Sequence, residues 1–62
     1  MSVKLVEIDC SVKHETDSAY LITDGDKDAW IPKSKVDDYC ETNGVIESIF
    51  IPEWLAIEKE LI

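Results

Sequence analysis

The sequence predicts an α+β fold: a small antiparallel β-sheet or partly closed barrel of about four strands, with a short C-terminal helix. Three observations carry this. The N-terminal run VKLVEIDCSVK alternates apolar and polar residues with a period of two. Short β-branched and aromatic runs then recur between polar, glycine- or proline-bearing breaks. Finally, PEWLAIEKELI switches to helical spacing. With 62 residues the chain reads as one small domain, 1–62, whose folding must draw on nearly all its apolar side chains.

In the first strand, residues 3–13, Val6, Ile8, Cys10 and Val12 face one way and Glu7, Asp9, Ser11 and Lys13 the other. HETDS, residues 14–18, is polar and reads as a turn. SAYLIT, residues 18–23, is a second strand, and DGDK breaks it with an Asp-Gly pair suited to a tight hairpin. DAWIPK, residues 28–33, is a third strand; Pro32 donates no ladder hydrogen bond, so it ends the strand or confines it to an edge. SKVDDYC, residues 34–40, opens with Ser34 and has Asp37 three positions on, a weak capping box that predicts one or two helical turns. Asn43 and Gly44 tolerate positive φ and mark a turn. VIESIFI, residues 45–51, is apolar on both faces and predicts a central strand. Pro52 is favoured at a first helical position, and Trp54, Ile57 and Leu61 form the stripe expected to pack the helix on the sheet. A helix this short is not stable alone.

Six lysines oppose fourteen Asp and Glu, a formal net charge of −8, and there is no arginine. Arginine is the side chain best suited to bidentate phosphate and guanine contacts and to stacking on bases. A chain that lacks it and repels phosphate is a poor direct binder of nucleic acid, and the same repulsion disfavours anionic membranes. Basic protein surfaces are attracted instead, while the acid excess also serves solubility. No apolar run approaches the length of a membrane span. Acidic residues in MSVKLVEIDC stand where an export signal needs an apolar stretch, so the expected compartment is the cytoplasm. Cys10 and Cys40 would stay reduced there; neither lies in a CxxC pair, and both read as small buried hydrophobes.

The stretch most like a site is DGDKDAW, residues 24–30. Asp24, Asp26 and Asp28 match positions one, three and five of an EF-hand loop. Position six, which needs glycine, is Ala29, and position twelve, which needs a bidentate glutamate, is Lys35. The expectation is therefore a hairpin turn with no metal, whose carboxylates form an exposed acidic tip. Catalysis finds little support. His14 is the only histidine. On an extended strand it lies about 13 Å from Cys10, beyond the reach of a nucleophile–base pair. Gly25 and Gly44 are the only glycines, so no phosphate-cradling loop exists and no cofactor is expected. In WIPKS, residues 30–34, Trp30 sits beside Pro32 and Lys33. Two readings stand: an exposed aromatic contact, or a core residue covering the sheet opposite Trp54.

The strand AYLIT, the short acidic turn, AWIPKS and the ending PEWLAIEKELI together resemble small uncharacterised proteins carried by bacteriophages and other mobile elements, over about residues 14–62. The resemblance implies a phage accessory factor and no catalytic residues. The expected function is a non-enzymatic, acidic protein-interaction module. Its partner is a protein with a basic surface, met through Asp24, Asp26, Asp28, Trp30 and Lys33, with no direct nucleic-acid or membrane binding. The alternative is an acidic nucleic-acid mimic that inhibits a DNA- or RNA-handling enzyme of host defence.

Overall fold

The computed structural model describes residues 3–62. In chain order its elements are β1 (Leu5–Asp9), β2 (Ser11–Glu15), β3 (Ala19–Thr23), β4 (Asp28–Pro32), a 3-10 turn at Lys33–Lys35, β5 (Asp38–Thr42), β6 (Val45–Pro52) and α1 (Glu53–Glu58). The strands form two three-stranded antiparallel sheets, ordered β1-β6-β5 and β2-β3-β4. The antiparallel pairing and the short C-terminal helix follow the sequence expectation. The strand count exceeds the four expected, and the sheets do not close into a barrel.

The alternation over residues 3–13 is real, but it serves two sheets rather than one. Ile8 and Cys10 are buried and Val6 and Val12 partly so, while their polar neighbours are exposed. The ladder breaks at Cys10, whose N–H donates to the Glu47 carbonyl at 3.0 Å. β1 therefore pairs with β6, and after Cys10 the chain passes into β2, which pairs with β3. A single apolar face can supply both sheets because the period of two survives the crossing. His14 and Glu15, expected in a turn, extend β2 instead. The turn is confined to residues 16–18, where the Ala19 N–H donates to Thr16 Oγ1 at 3.1 Å.

The helix expected over residues 34–40 does not form. Only the 3-10 turn appears there, without a side-chain cap, and the chain then becomes β5. Asp37 is the pivot: its N–H donates to the Phe50 carbonyl at 2.8 Å, which draws the segment onto the edge of β6. Val36, Tyr39 and Thr42 suit that extended path better than a helix. At the next turn Asn43 and Gly44 both have positive φ, 52° and 81°, matching a two-residue hairpin between β5 and β6. VIESIFI is central as expected, with β1 on one side and β5 on the other.

One core lies between the sheets. Ile8, Ile49 and Ile51 come from the first sheet, Ile22 and Ile31 from the second, Cys10 from the crossing, and Leu55 and Ala56 from α1. The helix packs against β1 and β6. Its buried side is not the expected stripe. Trp54 and Ile57 are 50% and 58% exposed, and only Leu61, beyond the helix, joins the core partially. The reason is the entry angle. Pro52 stands just before the helix in extended conformation rather than at its first position, and the Glu53 N–H donates to the Lys4 carbonyl at 2.8 Å. With the first turn anchored to the start of β1, adjacent Leu55 and Ala56 point inward and Trp54 flanks them.

Candidate functional site

The three aspartates of DGDKDAW lie at the β3–β4 turn, as expected, but they do not act alike. The Asp24 carboxylate accepts the N–H groups of Asp26 and Lys27, each at 2.9 Å, and is built into the turn. These backbone hydrogen bonds, Lys27's first, hold its pKa below the ordinary carboxylate value. Asp28 is ion-paired with Lys13 at 2.9 Å, and that hydrogen bond is the main reason its pKa is lowered. Only Asp26 has no side-chain hydrogen bond or ion pair among the described residues. The tip thus presents one uncommitted carboxylate rather than a row of three. Among the described residues no group of three His, Cys, Asp or Glu side chains converges as a metal site would require.

Trp30 is 46% exposed and lies in the middle of β4, opposite Leu21 of β3. Its neighbour Ile31 is fully buried, so alternation sends Trp30 to the outer face of its sheet. The imidazole of His14 meets the indole edge-on at 6.2 Å between centroids. The core reading of Trp30 is therefore set aside. Lys33 does not join it. Its ammonium turns toward β2 and β3, ion-paired with Glu15 and 5.0 Å from the centre of the Tyr20 ring. The Glu15 carboxylate is the main cause of its raised pKa.

What the structure adds is Trp54. Trp30 and Trp54 line the same groove of about 540 Å³, between α1 and the end of β4, with Ala19, Pro32 and Leu55 supplying further apolar surface. Lys35 and Lys59 stand on its rim beside Glu58. The Lys35 ammonium lies 5.7 Å from the centre of the Trp54 ring. The sequence signal for this groove was present, since Trp30-Ile-Pro and Pro52-Glu-Trp54 each place a tryptophan two residues from a proline. The missing information was the docking angle of α1, which decides whether Trp54 points in or out.

Comparison with protein-family models, curated proteins and solved structures finds no match to this chain. No helix among the described residues is long and apolar enough to cross a membrane.

Proposed function

We propose that this protein is a non-enzymatic protein-interaction module whose anchor is the groove lined by Trp30 and Trp54. A single observation carries the reading. A domain this small needs its large apolar side chains for the core, yet leaves both tryptophans about half exposed in one groove. Tryptophan is among the side chains most enriched where protein partners bind tightly, because it offers a large apolar area with few rotatable bonds. The partner's apolar side chain would sit between the indoles. The groove itself carries Lys35 and Lys59 beside Glu58, so basic groups elsewhere on the partner would be drawn by the acid excess of the whole chain, a net charge of −8. The resemblance of AWIPKS and PEWLAIEKELI to mobile-element proteins makes a host or phage protein the proposed partner.

The alternative, a nucleic-acid mimic, draws support from a different face. Glu7 and Asp9 stand two residues apart on the exposed side of β1, and Asp38 lies across β6 from Glu7, both flanking Phe50. Strand neighbours two apart repeat every ~6.7 Å, giving a short, regular row of charge.

Affinity capture from bacterial lysate with the wild type, a Trp30→Ala/Trp54→Ala variant and a Glu7→Gln/Asp9→Asn variant separates these readings. The groove reading expects proteins retained by the wild type and by the carboxylate variant but lost from the tryptophan variant, with all three folded by circular dichroism. Retention by the tryptophan variant and loss from the carboxylate variant would instead favour the mimic.

A further inference from the structure

A second cleft, of about 500 Å³, opens between the two sheets at the end away from the helix. Its walls include Val12 and Glu15 of β2, Tyr20 of β3, Tyr39 and Glu41 of β5, and Ile46 of β6. We propose that this cleft receives the cationic side chain of a lysine or arginine from a protein partner. The chemistry is specific. Aromatic faces attract cations through the ring quadrupole, and nearby carboxylates add direct charge attraction. Tyr39 supplies the ring and Glu41 the charge, across from Tyr20 and Glu15, around an apolar floor suited to a methylene stem.

The protein already shows that one wall binds an ammonium. Lys33 of the same chain places its charge 5.0 Å from the Tyr20 ring centre and pairs with Glu15. The opposite wall has no such occupant: Glu41 forms no ion pair among the described residues, and Tyr39 is 46% exposed. A second cation therefore finds a ring and a carboxylate on β5 of the kind that Lys33 uses on β2 and β3. The size is also suitable, near the lower end of the ~300–1,000 Å³ range of ligand clefts. This site specifies the basic character of the partner in the reading above, yet its test uses short peptides and does not depend on the tryptophan groove.

The test is a nuclear magnetic resonance titration of the whole chain with three blocked tripeptides, Gly-Arg-Gly, Gly-Lys-Gly and the neutral Gly-citrulline-Gly. Saturable shifts at Tyr39, Glu41, Val45 and Ile46 are expected with the two cationic peptides and not with the citrulline one. Tyr39→Ala and Glu41→Gln should each weaken binding about threefold or more. Tyr39→Phe should bind like the wild type, because the ring rather than the hydroxyl carries the attraction. Both positions are exposed on an edge strand, so the variants should fold, and thermal unfolding checks this. Equal binding of the citrulline peptide would overturn the proposal. So would unchanged affinity in Tyr39→Ala or Glu41→Gln, or an absence of saturation at concentrations on the order of tens of millimolar.

Discussion

At the scale of single residues, burial separates side chains that hold the fold from those free to do something else. Ile51 is fully buried between the sheets, whereas Trp54 is half exposed although it is larger. Ile51→Ala should destabilise by about 2–5 kcal/mol, since it removes methyl groups and leaves a cavity. Trp54→Ala should cost only about 1–2 kcal/mol, because much of the indole already meets water. Urea unfolding of the two variants side by side measures the contrast; a Trp54→Ala loss as large as that of Ile51→Ala would return Trp54 to the core. Asp24 makes a second test. Its folded pKa lies below its unfolded one, so its carboxylate contributes stability above the unfolded pKa, and that contribution is lost as pH falls through the folded value. In Asp24→Asn the amide oxygen can still accept the two turn N–H groups. Without the charge, stability near neutral pH should fall modestly, while the acid limb below about pH 4 becomes shallower in urea midpoints.

The elements show where local sequence decides conformation and where a partner strand overrides it. α1 ends in a left-handed residue, Glu60 at φ 59°, whose N–H donates to the Ile57 carbonyl at 3.0 Å, while the Leu61 N–H donates to the Ala56 carbonyl at 2.8 Å. This is a Schellman ending, which normally uses glycine. Glu60→Gly should relieve the left-handed strain and raise stability by up to ~1 kcal/mol, read as a higher thermal midpoint; an unchanged or lower midpoint would show that flexibility gained by the unfolded chain offsets it. Glycine at that position would also have announced the helix end in the sequence. The Asn43-Gly44 turn and the central place of VIESIFI were legible because their signals are local or depend on simple burial. The strand at Asp38–Thr42 was not, because Ser34 and Asp37 imitate a cap and the Asp37 N–H bond to Phe50 spans thirteen residues of chain. Neither was the division of residues 3–13 between two sheets, since a period of two reports which face is buried and not which strand lies alongside. For the site, Trp30 was legible as a candidate, whereas its grouping with Trp54 and the Tyr20–Tyr39 cleft depend on how elements dock.

Across the whole molecule, fourteen acidic and six basic side chains are held within a radius of gyration of 10.8 Å. That is comparable to the screening length of ~10 Å at 0.1 M salt, so most like charges feel one another when salt is scarce. The ion pairs among the described residues, Lys4–Glu53, Lys13–Asp28 and Lys33–Glu15, are all exposed to solvent and each offsets little of this repulsion. Folding concentrates the excess negative charge, and unfolding relieves it. Sodium chloride should therefore raise the thermal midpoint between low ionic strength and roughly 0.2 M, because screening weakens net repulsion more than it weakens these few pairs. Chloride is the appropriate salt, since sulfate would also stabilise by exclusion from the surface. Binding of the cationic tripeptides should respond in the opposite sense, weakening over the same range as attraction is screened. A midpoint that falls with sodium chloride would mean that the ion pairs outweigh the repulsion. In that case the acid excess would be spread too widely over the surface to act on the fold, and Lys13–Asp28 and Lys33–Glu15 would be the first pairs to remove.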